Sequence, residues 1–303
     1  MGAEFVALSL PPLLIGVCVA VACAIPGNFL LLRGQALIGD AISHVVLPGI
    51  VLAFVLTGAV ESGPMLLGAA LAAVVSMLAI DAIRRLGRIE AGAAMGVIFT
   101  TMFAAGVLIL EQVDTTGVHL DVEHALFGSL EALIWLDAAG WESLLDPIAL
   151  AGLPHELPRM ALVLVAVTAF VWVLWRPLAL MSFDEGFAAT VGVPVRRMGL
   201  GLILLSALAA VAAFDAVGSI IVIAMFICPP ATARLMTNAL HVQVLLSVLV
   251  AALAAVLGYV LAGYGPGWMG FDASVSAAGM IATVSGLGLG LAAVFGRHRR
   301  RVV

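Results

Sequence analysis

Apolar residues run along this chain in long unbroken stretches, not in alternation with polar ones. Nine such runs can be placed, approximately 8–30, 36–58, 63–82, 91–111, 158–178, 198–214, 216–233, 240–262 and 274–296. Each approaches the ~20 residues that an α-helix needs to cross a hydrocarbon core. A membrane β-barrel would instead show alternating segments of ~10 residues. The pattern predicts an all-α, polytopic integral membrane helix bundle forming a single domain over residues 1–303. The runs 198–214 and 216–233 are short, and only Asp215 separates them. They read either as a helix pair or as one broken, re-entrant helix, so eight spans is the other count.

Two connecting segments exceed simple turns. Residues 112–157 form a long acidic segment whose apolar stretch ALFGSLEALIWL (125–136) is too short to span. With Trp135 and Trp141 it is expected at the membrane interface or packed over the bundle. Residues 179–197 hold Asp184 and Glu185 ahead of a short Ala-rich pattern, which Gly192 can end and Pro194 stops. This predicts a short amphipathic helix between two spans.

Composition narrows the function. Hydrophobic residues make up 64% of the 303 positions and charged residues 10%, against ~45–50% and ~25% in soluble domains. A soluble globule could not hide that much apolar surface, so a soluble enzyme, a nucleic-acid binder and a disordered chain are excluded. All 13 basic residues are Arg. A Walker A loop requires Lys, so ATP-driven work would fall to a partner subunit. Twelve arginines lie on one side of the nine-span arrangement and only Arg159 on the other. The rule that basic loops stay inside puts the N-terminus outside and the C-terminus in the cytoplasm. Most acidic residues, including those of 112–157, fall outside. Cys18, Cys23 and Cys228 lie in apolar runs and suggest no disulfide framework. The start of the chain has neither a basic signal-peptide region nor a myristoylation pattern.

The segment RGQALIGDAISHVVLPGIVLAF (33–54) carries the chemistry. Asp40 and His44 are four apart and so share one helix face. Counted along a helix from Arg33, they lie roughly 10–16 Å into the membrane. An ionisable residue at such depth is costly and is a functional candidate by default. A carboxylate and an imidazole at this spacing form half a site for a divalent first-row metal. A second copy across a two-fold axis would supply the other half. The bland reading has His44 bonding a neighbouring helix and Asp40 pairing with a buried donor. Pro48 and Gly49, one turn later, can kink the helix and free a carbonyl. Ser43 and Asp215 are further pathway candidates, although Asp215 also suits a helix end.

GDAISHVVLPGIVLA resembles the signature of permease subunits of the zinc/manganese/iron family of bacterial ABC importers. The segments LDVEHALFGSL (120–130), SFDEGFAATVGVPV (182–195), AVGSIIVIAMFICPPATARLMT (216–237) and the closing span 274–296 agree in order, so the similarity covers nearly the whole chain. The resemblance implies a type II ABC importer-like permease in the prokaryotic plasma membrane. It also implies a second permease subunit (identical or different), cytoplasmic ATPase subunits that bind the ATP, and an extracytoplasmic metal-binding protein. Asp40 and His44 map onto the family's metal path. Phe183, Asp184, Glu185, Gly186, Phe187 and Gly192 map onto its coupling helix. On this reading the chain is not an enzyme and binds no cofactor. Its cargo is Mn, Zn or Fe, and its other contact is membrane lipid. Pro229–Pro230 stands where the family commonly has Pro-Ala, Asp215 where a Glu is common, and the segment 131–157 is longer than expected.

Other features point less sharply. HLDVEH (119–124), with His119, Asp121, Glu123 and His124, and His155 nearby, suits cation capture or an ordinary solvated loop. GLGLG (286–290) permits close helix contact. RHRRR (297–301) reads as a topology anchor with attraction for anionic lipid. Protonation of His44 would weaken metal binding, so transport is expected to fail at acidic pH. An ion-coupled secondary carrier without an ATPase would use the same Asp/His pair. An intramembrane aspartyl protease would need a second Asp beside Asp40, and a zinc protease would need HExxH, which is missing.

Overall fold

The computed structural model describes residues 4–58, 62–112, 130–268, 270 and 275–296. The described residues are helices joined by short turns. Helix α1 begins with a π turn, Phe5–Ser9, and continues as Leu10–Leu32; α2 is Ile38–Thr57, α3 Ser62–Gly87 and α4 Ala91–Gln112. Two 3-10 turns, Leu130–Ala132 and Trp141–Leu145, lead to the short α5, Pro147–Ala151. Then follow α6 (Glu156–Val173), α7 (Trp175–Phe183), α8 (Glu185–Thr190), α9 (Val195–Val217), α10 (Ser219–Met236), α11 (Leu240–Trp268) and α12 (Ala277–Phe295). Among the described residues nine helices are long and apolar enough to cross a membrane. HLDVEH and RHRRR lie outside the described residues.

The broken-helix alternative fails at a specific place. Asp215 sits inside α9, and the chain breaks at Gly218 (φ 80°, ψ 170°). Only glycine adopts that backbone freely, so α9 and α10 are two full-length helices rather than a short pair divided by Asp215. The span expected over 158–178 also ends early, at Val173, with a break at Leu174. Pro177 has no N–H to donate back to Val173 and clashes with that carbonyl. It is tolerated in the first turn of a new helix, and α7 provides one.

Helix α9 is the most buried span, and α1, α2 and α10 pack on it. Their inward faces carry small residues, as in the run Ala209–Ala213 of α9, all buried. Small side chains let membrane helices approach closely, which replaces the hydrophobic drive that lipid cannot supply. The same device joins α2 to α3. A Cβ on Gly49 would overlap the Gly68 carbonyl, and one on Gly68 would overlap that of Gly49. A buried amide network links α1 to α11: Asn28 donates to Ser247 Oγ at 2.6 Å, and Gln243 donates to Asn28 Oδ1 at 3.0 Å.

One end of the bundle is closed by the 130–151 segment. The Trp135 ring is fully buried, and its indole N–H donates to the Ala149 carbonyl at 2.7 Å. The Trp135 backbone N–H donates to the Ala7 carbonyl of α1 at 2.8 Å. Glu131 accepts from the Ala277 backbone N–H at the start of α12, where the helix dipole favours a carboxylate. Of the stretch 125–136 the described residues 130–136 pack on this end of the bundle, with Leu130 and Trp135 buried, and 125–129 lie outside the described residues. At the opposite end lie Arg33, the α7–α8 segment and the start of α9.

Candidate functional site

Asp40 stands in the first turn of α2 and His44 in the second. An N-terminal first turn favours a carboxylate electrostatically. The preceding residues 33–37 form a turn, not helix: Gln35 N–H donates to the Leu30 carbonyl at 2.8 Å, and Ile38 N–H to the Gln35 carbonyl at 3.2 Å. The count of helical rise from Arg33 therefore overstates the depth. Measured from the start of α2, the pair lies roughly 3 and 9 Å along the axis. It is nearer the Arg33 end of the span than a continuous helix would put it.

The two side chains stand together. His44 Nε2 is 3.7 Å from Asp40 Oδ1. That exceeds a hydrogen bond of ~2.7–3.2 Å. Two ligands bound at ~2.1 Å to one ion with a tetrahedral angle between them would sit ~3.4 Å apart. The spacing is close to what a shared cation asks for. Neither partner is buried: the side chains are 39% and 38% exposed. Both are half-buried on the single chain.

The orientation of His44 is set by α4. Its ring stacks on Phe99 (centroids 5.0 Å apart, planes at 24°) and meets Phe103 edge-on at 5.7 Å. Pro48 fixes a further feature. It lies four residues after His44 and has no N–H, so the His44 carbonyl lacks its helical donor. Gly106 of α4 makes room for Pro48, since a Cβ there would stand 2.9 Å from the proline nitrogen. Helix α4 thus packs on the helix at the level where its backbone bonding is interrupted.

The remaining candidates divide. The Ser43 hydroxyl donates to the Asp40 backbone carbonyl at 2.7 Å, so its proton is used within the helix. Asp215 lies near the opposite end of the bundle from Asp40 and pairs with Arg159 of α6, Oδ2 to Nη2 at 2.5 Å. The structure does not bring Asp215 to the Asp/His pair. Among the described residues no group of three or more His, Cys, Asp or Glu side chains could hold a metal.

The 184–192 stretch folds as its sequence predicts. Asp184 caps α8, its Oδ1 accepting from Phe187 N–H at 2.8 Å. Ala188 is buried against the bundle, while Phe183, Phe187 and Val191 are exposed. Gly192 takes a φ of 88° just past the helix end, which favours glycine. Gly186, in the first turn, adds no side chain. Glu185 Oε1 lies 2.7 Å from Arg33 Nη2. In the sequence Arg33 reads only as the end of a span, and no local signal ties it to a residue 152 positions away. Phe99 and Phe103 were also missed, because an aromatic pair four apart in an apolar run looks the same whether it faces lipid or a histidine.

Comparison with known proteins follows the same outline. The manganese transport system membrane protein MntD of Bacillus subtilis (strain 168) is 36% identical over 275 residues, covering 90% of this chain and 86% of that one. The zinc transport system membrane protein TroD of Treponema pallidum (strain Nichols) is 34% identical, over 95% and 74%. The chelated iron transport system membrane protein YfeD of Yersinia pestis is 34% identical, over 78% and 71%. Among solved structures, PsaBC from Streptococcus pneumoniae in complex with Fab superposes with a TM-score of 0.72 at 27% identity, covering 96% of this chain and 93% of that one. The family model described as the ABC 3 transport family matches residues 7–137 and 149–294. Matched over nearly its whole length, the chain belongs to the ABC 3 transport family.

Proposed function

We propose that this chain is the membrane permease subunit of an ATP-driven importer for a divalent transition metal, manganese, zinc or iron, in a bacterial membrane. The cargo passes Asp40 and His44 where they meet the same pair of a second permease subunit. One observation carries this reading: an acid and an imidazole 3.7 Å apart, open on the face of a single apolar chain. Exposing them to lipid would be costly, and a symmetry-related pair would complete a four-ligand site. Similarity to transporters named for three different metals supports the cargo class without choosing within it. The ligand chemistry does not choose either, since carboxylate and imidazole suit all three.

In this mechanism an extracytoplasmic binding protein delivers the ion. The site strips part of its hydration, binding firmly enough to accept it and weakly enough to release it. ATP is hydrolysed on separate cytoplasmic subunits, which grip α8 through its exposed Phe187 and through Phe183 at the end of α7. A rigid-body switch then moves access from one side of the membrane to the other. Asp40→Asn keeps the size of the side chain and removes its charge. In reconstituted complex, metal uptake is expected to fall by about tenfold or more, with assembly unchanged. Uptake at the normal rate from an assembled Asp40→Asn complex would sink the site.

A further inference from the structure

We propose that the Arg33–Glu185 ion pair is the joint through which α8 moves the metal-bearing helix α2. This rests on the reading of α8 as the element that an ATPase grips. Arg33 closes α1, its backbone N–H donating to the Phe29 carbonyl at 3.2 Å. Its side chain is only 8% exposed, and Nη2 contacts Glu185 at 2.7 Å. The same guanidinium donates through Nε to Gln35 Oε1 at 3.4 Å. The Gln35 carbonyl accepts from Ile38 N–H, and Ile38 opens the helix that carries Asp40 two residues later. A continuous line of polar contacts therefore runs from the first residue of α8 to the first turn of α2.

The surroundings make that line stiff. Gly199 of α9 leaves room for the guanidinium, and a Cβ there would stand 3.0 Å from Nη2. Among the described residues Nη1 is buried without a hydrogen-bond partner. Burial works against the charge on Arg33, Glu185 supports it, and the like charge of Arg84 opposes it. Glu185 is half exposed but the guanidinium is not, so releasing the carboxylate would leave a largely buried charge without its acidic partner. Displacement of α8 therefore draws the α1–α2 turn with it instead of breaking the contact. Helix α8 packs on α7 and on the start of α9; the Arg33 contact adds a route to the turn before Asp40. Arginine suits the task because one planar group can meet Glu185 through Nη2 and Gln35 through Nε at once.

The test uses the full complex of permease, ATPase and binding protein in proteoliposomes. Radiolabelled Mn(II) or Zn(II), whichever the unaltered complex carries, is counted against ATP hydrolysed. Arg33→Glu and Glu185→Arg are each expected to lower metal moved per ATP by about tenfold while hydrolysis continues. The exchanged pair Arg33→Glu/Glu185→Arg is expected to recover roughly half of the loss or more. Because Arg33→Glu can prevent assembly, Glu185→Gln is the deciding variant in that event. A fall of about threefold or more in metal per ATP supports the joint, and an unchanged ratio overturns it. Failure of the exchanged pair to recover, in a complex that assembles, also overturns it. Cross-linking of Phe187→Cys to the ATPase separates the two readings. No cross-link removes the docking role of α8 itself; a normal cross-link with an unchanged Glu185→Gln ratio removes only the joint.

Discussion

Asp40 and His44 gain their meaning from what each does not touch. Their 3.7 Å separation leaves a gap that a hydrogen bond would have closed. Phe99 holds the imidazole ring by stacking, an arrangement worth about 0.5–1.5 kcal/mol beyond its buried area. Phe99→Ala should therefore lower metal uptake about two- to tenfold without removing a ligand. The check is a parallel measurement of uptake and of complex yield, and equal loss of both would mean that the ring serves folding alone. Trp135, at the other end of the molecule, shows a purely structural residue. It fills the cap and satisfies its indole N–H on Ala149. Trp135→Ala should destabilise that cap by about 3–5 kcal/mol, seen as faster proteolysis within 130–155.

Among the elements, α8 is the least self-sufficient. Its six residues are too few to be stable alone. Asp184 at its N-terminus and Ala188 in the core hold it in place. Asp184→Ala removes the cap, a change worth about 1 kcal/mol. The expected result is a severalfold fall in metal moved per ATP, with hydrolysis retained. The α2–α3 pair makes the opposite case, a contact set by the absence of side chains. Gly68→Leu cannot be accommodated without moving α2, because the Gly49 carbonyl occupies the space. Its thermal unfolding in detergent should shift down by several degrees, and an unchanged transition would refute the close contact.

Across the whole molecule, charge sorts the two ends. Arg33, Arg176, Arg196 and Arg197 flank helix ends on the α8 side, and the acidic cap covers the other. The proposed function needs the α8 end to be cytoplasmic, as the positive-inside rule expects. A green fluorescent protein joined after Val303 should fluoresce, and alkaline phosphatase at the same point should be inactive. The reverse pattern would invert the proposed direction of coupling. Arg159 is the exception to the charge bias, and Asp215 neutralises it at the acidic end.

The spans, the fold class and the α8 cap were legible in the sequence because each depends on local rules. Twenty apolar residues must form a helix wherever lipid surrounds them, since no other backbone arrangement satisfies its own hydrogen bonds. Asp, four residues, then His share a face by helical period alone. The break at Gly218 and the new start before Pro177 were misplaced by a few residues, because an apolar run does not mark where its backbone turns. What only the tertiary structure decided involves residues far apart in the chain: Phe99 against His44, Arg159 against Asp215, Glu185 against Arg33. Packing chooses those partners, and it places the Asp/His pair on an open face of one subunit instead of in its core. Apolar runs of nearly equal hydropathy cannot announce which of their faces will meet.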